Sequence, residues 1–163
     1  MLIILSGLPG TGKTTIACAL AKATGATHLR IDTIEQTLRN TGIAEITNEG
    51  YRIAFALAED NLRLGHTVIA DSVNPIAITR DAWRAVATRA GTKSIDVEVI
   101  CSDQTEHRRR VETRTADIAG HKLPTWQDVI DREYHAWDRN RLVIDSALET
   151  AEQAVQRVTA ALS

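Results

Sequence analysis

The residues best suited to chemistry form one run, Gly7-Leu8-Pro9-Gly10-Thr11-Gly12-Lys13-Thr14-Thr15, which fits the pattern G-x-x-x-x-G-K-[ST] in full. It follows the apolar segment Leu2–Ser6 and opens a helical pattern at Lys13, the strand–loop–helix setting that the pattern requires. Gly7, Gly10 and Gly12, with Pro9 and Thr11 between them, let the loop curl successive backbone N–H groups around phosphate oxygens. The positive end of the following helix faces the same anion. Lys13 adds a mobile cation for β- and γ-phosphates, Thr14 adds a hydroxyl for magnesium, and Thr15 supports the helix start. The expected ligands are ATP and Mg2+.

Further candidate groups fall at the ends of apolar runs. Asp32 closes His28-Leu29-Arg30-Ile31, and in a doubly wound sheet the C-terminal strand ends border the ligand crevice. An acid there can take the proton of an acceptor hydroxyl during phosphoryl transfer, or serve as cap of a helix from Thr33. Asp71 closes Thr67-Val68-Ile69-Ala70 in the manner of a Walker B acid, which holds a magnesium-bound water or Thr14; a turn cap is the other reading. Arg110 and Arg114 are four residues apart in the charge run from Glu106. On a helix they share a face and converge on phosphate or stack on adenine, unless the run is a solvated surface. Residues 115–122 read as a mobile lid with Gly120 as hinge, within a lid region of about 108–125. Arg30, Arg39, Tyr51, Arg52 and Asn74 are candidates for the acceptor side, and Arg80 for an acceptor or phosphate contact.

The elements that must position these groups alternate along the chain. Apolar, β-branched runs predict strands over 2–6, 27–31, 67–70, 94–101 and 141–144, each without a long polar face, as suits strands covered on both sides. Helical patterns fill 13–23, 33–40, 49–64, 75–90, 104–115, 125–136 and 148–162, and Pro75 suits the first turn of the fourth. This βα rhythm predicts an α/β fold with a mostly parallel sheet. A length of 163 residues predicts a single domain, 1–163, and 44% hydrophobic with 25% charged residues excludes disorder and coiled coil.

Nineteen basic against 21 acidic side chains give a net charge of −2, so no global basic field attracts nucleic acid or an anionic membrane. Cys18 and Cys101 stand far apart and outside any CxxC pattern, and the five histidines show no ligand spacing, which excludes a zinc framework and predicts a reducing, cytoplasmic setting. The apolar run from Leu2 to Leu5 is too short for a signal-peptide core or a membrane span. Trp126, Tyr134 and Trp137 read as packing for the lid helix, and a monomer or simple dimer is expected.

On these residues the chain resembles the small P-loop kinases often labelled predicted kinase or AAA-family ATPase, a group similar to chloramphenicol phosphotransferase, the zeta toxins and polynucleotide 5′-kinase. The resemblance implies a three-layer P-loop NTPase fold with a five-stranded parallel sheet in the order 2-3-1-4-5 and a short helical lid. By matching position it implies Asp32 as acceptor-side base, Asp71 as magnesium-side acid, Arg110 and Arg114 as lid arginines, and Asp145-Ser146-Ala147 beside the adenine. No second acid stands two residues from Asp32, so the paired-carboxylate grip of shikimate kinase is not reproduced. The expected activity is transfer of the γ-phosphoryl group of ATP to a hydroxyl of a small molecule, a metabolite or antibiotic. A polynucleotide 5′-hydroxyl kinase and a nucleotide-dependent switch without an acceptor are the alternatives.

Overall fold

The structure, a computed structural model, describes residues 1–162. Five strands, β1 (Leu2–Ser6), β2 (Thr27–Arg30), β3 (Val68–Asp71), β4 (Ser94–Ile100) and β5 (Leu142–Asp145), form one sheet in the order β2-β3-β1-β4-β5. Every neighbouring pair is parallel. The helices are α1 (Lys13–Thr24), α2 (Ile31–Asn40), α3 (Glu49–Arg63), α4 (Ala77–Arg89), α5 (Gln104–Thr113), α6 (Trp126–Ile130) and α7 (Ala151–Ala160).

The sheet is buried on both faces because β1 is apolar at every position before Ser6. Leu2 and Ile4 point into a core with Ala54, Ala58, Trp83 and Val86 from α3 and α4. Ile3 and Leu5 point the other way, into a core with Ile16, Ala17 and Leu20 of α1 and Ala154 and Val158 of α7. The alternation of Cβ direction along a strand thus divides one run of sequence between two hydrophobic layers. The expected α/β fold and strand order are both present. Parallel pairing with Leu5 opposite Asp71, and Arg30 opposite Asp71, places the loop after β1, the start of α2 and the end of β3 along one edge of the sheet.

Three expectations need correction. β4 carries a polar face, since Asp96 and Glu98 are buried on the α4 side, where Arg84 and Arg141 pair with them. Burial raises the Asp96 pKa even beside Arg84. The helix expected over 125–136 stops at Ile130. Beyond it the backbone turns to cover the polar face of β4, where the Tyr134 hydroxyl donates to Glu98 at 3.1 Å and burial pushes the phenol up to about 12. Arg80 fixes this stretch by donating to the carbonyls of His135 (3.0 Å) and Ala136 (3.4 Å), and its guanidinium lies 4.0 Å from the centre of the Trp137 ring. Tertiary capture of backbone carbonyls overrides helical pattern there. Finally, Pro75 lies outside α4. Asn74 adopts a left-handed φ of 45° and the helix begins at Ala77, two residues later than the proline suggested.

Among the described residues no helix is long and apolar enough to cross a membrane. Trp83 is wholly buried and meets the Phe55 ring edge-on at 4.7 Å. Its truncation, Trp83→Ala, should destabilise the fold by about 3–5 kcal/mol in chemical denaturation. Trp83→Phe should cost far less, because the buried indole N–H has no acceptor to lose.

Candidate active site

The loop between β1 and α1 is held in a turn that only glycine permits. A Cβ on Gly7, at φ 140°, would stand 2.1 Å from the Val99 carbonyl oxygen, and one on Gly10, at φ 84°, would stand 2.5 Å from Cγ2 of Val111. Gly12, at φ 92°, occupies the N-cap position of α1 with no side chain to cap it, so the first-turn N–H groups are left for an outside acceptor. The loop is braced from within by the Thr11 hydroxyl and the Lys13 ammonium, each donating to the Leu8 carbonyl at 2.9 Å. It is braced from outside by His107, whose Nε2 donates to the Pro9 carbonyl at 2.8 Å while its ring stands edge-on to Trp126 at 5.2 Å. Gly7 and Thr11 therefore shape the loop rather than line the cleft above it.

That cleft has a volume of about 1430 Å³ and is walled by the phosphate loop, α2, the ends of β3 and α5, residues 114–124 and the turn after β5. Lys13 lies at its floor, 7% exposed. Burial pulls its pKa down to about 8, against the opposing pull of Asp71 and Asp32 and with the added repulsion of Arg114 and Arg132. Pro9, Gly10, Gly12, Thr14 and Thr15 border the same space.

Of the acids, Asp71 is 3% exposed and receives Nε2 of His28 at 3.1 Å. His28 in turn has Nδ1 at 3.9 Å from Sγ of Cys18. Sequence reasoning missed this histidine, although its position two residues before Arg30 on the same face of β2 puts it within reach of the end of β3. Asp32 lies inside the first turn of α2 and makes no capping bond, so the cap reading does not hold and its carboxylate borders the cleft.

The arginines divide. Arg114, at the C-terminal end of α5, borders the cleft with Nε buried and unpartnered; burial lowers its pKa, opposed by Asp32. Arg110 is held by Glu106 (2.7 Å) and by the hydroxyl and carbonyl of Ser146 (2.9 and 3.1 Å), so it bridges α5 to the turn after β5. Arg30 makes a two-pronged ion pair with Asp117 at 2.5 and 3.0 Å, which ties the lid segment to the end of β2. Arg39 borders the cleft beside Glu35, as does Tyr51. Gly120, at φ 79°, packs against Gln36: a Cβ there would lie 3.2 Å from Nε2.

Four further expected site residues lie elsewhere. Asn74 is fully buried and donates to the Leu5 carbonyl (3.1 Å) and Ser6 hydroxyl (3.2 Å), pinning the end of β1. Arg80 is buried in the support described above and also donates to the Asn74 carbonyl at 2.9 Å. Arg52 is exposed on α3 and does not border the cleft. Asp145 accepts the backbone N–H groups of Ser102 and Ala147, both at 3.0 Å, and so shapes the turn that presents Ser146. Conversely, Glu35, His121, Lys122 and Arg132 border the cleft without having been foreseen. Glu35 was legible as one helical turn beyond Asp32, while the others required the path of the irregular segment.

Comparison with known structures follows the same outline. The Mycobacterium tuberculosis APS kinase CysC in complex with AMPPNP and APS superimposes with a TM-score of 0.74 at 20% identity, covering 99% of this chain and 96% of that one. Chaetomium thermophilum Kti12 in complex with ADP-AlF3 gives 0.73 at 21% identity over 100% of both chains. A gluconokinase from Sinorhizobium meliloti gives 0.64 at 20% identity over 98% and 94%. The shared feature is the P-loop kinase-like fold. A model of the AAA domain family matches residues 2–134, and with this phosphate loop and sheet the chain belongs to that family.

Proposed function

We propose that this protein is a kinase that uses ATP and magnesium to phosphorylate a hydroxyl of a small molecule. The observation that carries the reading is the convergence of Lys13, Asp32 and Arg114 on one cleft at the mouth of a preformed phosphate loop. The nucleotides in the APS kinase and Kti12 complexes support it by fold.

The loop N–H groups and Lys13 bind the triphosphate, while Arg110 and Ser146 flank the path toward the base. Among the described residues no group of three or more His, Cys, Asp or Glu side chains is arranged to hold a metal. Magnesium suits this poverty of ligands, since it binds through one or two protein oxygens plus substrate phosphates and water. Thr14 and Asp71 would hold it, with His28 fixing one carboxylate oxygen of Asp71; when bound it neutralises phosphate charge. Asp32 orients the acceptor hydroxyl and takes its proton as the new O–P bond forms and the bond to the β-phosphate oxygen breaks, leaving ADP. Arg114, short of partners and partly desolvated, faces the charge on the phosphoryl group in flight. The lid segment excludes water from this step.

A polynucleotide acceptor lacks support. Arg30 is engaged by Asp117, Arg39 sits beside Glu35, and Arg52 lies off the cleft, so these three arginines form no phosphate track. Free thiols at Cys18 and Cys101 fit a reducing cytoplasm, and we take the protein to act there as a single-domain monomer or simple dimer.

Lys13→Ala should lower kcat/KM for ATP by about a hundredfold or more while circular dichroism stays that of the folded protein; retained turnover would overturn the reading. Asp32→Asn should leave nucleotide affinity within about threefold but cut phosphoryl transfer by about 10²- to 10⁴-fold. Free-phosphate release at the wild-type rate in that variant, with no phosphorylated product from either protein, would instead identify a switch. Affinity for ATP should weaken about tenfold between pH 7 and pH 9. The sign follows from Lys13: its pKa of about 8 leaves it charged at the lower pH and neutral at the higher, and bound phosphate favours the charged form. Calorimetric titration would read this, and a flat profile would mean that Lys13 stays protonated throughout.

A further inference from the structure

Beyond Asp32, α2 presents a polar row to the cleft. Asp32, Glu35, Gln36 and Arg39 follow the spacing i, i+3, i+4, i+7, and all four border it. Glu35 is the unusual member. Its side chain is 21% exposed, burial raises its pKa despite the neighbouring arginine, and its one hydrogen-bond partner is Arg39 at a stretched 3.4 Å. A part-buried carboxylate with so weak a partner in an open cleft has lone pairs free to accept from a further donor. The opposite helix makes room for it, because a Cβ on Gly50 of α3 would stand 2.5 Å from Cγ of Glu35. The lid supplies another unsatisfied group on the same cleft, since Nδ1 of His121 is buried without a partner.

The charges decide what fits. Of the cations around the cleft, Arg30 is paired with Asp117 and Arg39 leans weakly on Glu35, while Arg114 and Arg132 are felt at Lys13 and Lys122 at Asp128, away from this end. An anionic acceptor at this end would meet the carboxylates of Asp32 and Glu35, and could reach Arg30 only by breaking its pair with Asp117. Hydroxyl groups meet no such conflict, since each donates to a carboxylate and accepts from a guanidinium or imidazole N–H. Resting on the kinase reading above, we infer that the acceptor is an uncharged, hydroxyl-rich molecule of the polyol or sugar class, held by Glu35, Arg39 and His121 while one further hydroxyl meets Asp32. Glu35 is then a specificity-determining residue, and it acts in binding rather than in proton transfer.

The test follows label from γ-labelled ATP into four acceptor sets: neutral sugars and polyols, sugar acids, nucleoside monophosphates and amino sugars. Label should enter the neutral set. With the acceptor so found, Glu35→Gln should raise its KM about tenfold or more with kcat falling much less, in contrast to Asp32→Asn. Gly50→Ala, whose Cβ would stand 2.5 Å from Cγ of Glu35, should raise the same KM by displacing that side chain, with circular dichroism reading whether each variant is folded. Label confined to the sugar acids, the monophosphates or the amino sugars, or a KM insensitive to both substitutions, would overturn the inference while leaving the kinase standing. Release of free phosphate alone, with no set labelled, would overturn the kinase reading and this one together.

Discussion

Everything in the cleft depends on how sharply the chain reverses between Ser6 and Lys13. The reversal is possible only because Gly7 passes beneath the Val99 carbonyl of β4 and Gly10 beneath Val111 of α5, at distances that leave no room for a Cβ. Close approach of the loop backbone to a carbonyl of β4 and a side chain of α5 sets it in place. The sheet order then does the rest: with β1 central and β3 and β4 on its two sides, the loop is flanked by Asp71 on one side and by the α5 arginines on the other. A loop seated this way presents its N–H groups before any anion arrives, so little reorganisation remains for binding.

The second organising fact is a lysine kept out of water. Lys13 leans on the Leu8 carbonyl, is desolvated by the cleft walls, and balances between two acids and two arginines. Such a cation is poorly satisfied within the protein itself. Arg114 is in the same condition, with a buried Nε lacking a partner. Both deficits lie where negative charge would enter, whereas cations elsewhere in the fold, such as Arg84 with Asp96 and Arg141 with Glu98, are fully paired. The difference sets the two cleft cations apart from those that hold the fold, and the proposed function rests on it.

The phosphate loop and the sheet were legible because each is written locally: a fixed spacing of glycines and lysine, and short apolar runs bounded by turns. Asp32 and Asp71 were legible as acids closing such runs. Asn74 and Arg80 misled for the same reason, since they follow β3 at positions suitable for ligands yet are drawn inward by backbone groups of β1 and of residues 135–136, a demand visible only in three dimensions. The polar face of β4 could have been suspected from Asp96 and Glu98 at alternate positions, but the segment that covers it could not, because its conformation is dictated by Arg80 rather than by its own sequence. His28 and His107 carry no motif; they matter through the polar contacts they make, to Asp71 and to the Pro9 carbonyl.

The segment that crosses the cleft is suspended between two fixed posts. One is α5, which grips the phosphate loop through His107 and Val111. The other begins at α6, closed by the capping box of Thr125 and Asp128, and continues into the stretch that Arg80 anchors to the start of α4. Between them residues 115–124 meet the body at the ion pair of Arg30 with Asp117 and where Gly120 packs on Gln36. Architecture of this kind is modular: the span can be lengthened, shortened or rewritten without disturbing either post or the two cores behind them. A scaffold so divided can revise what closes over the cleft while the phosphate loop and the polar row of α2 stay where they are.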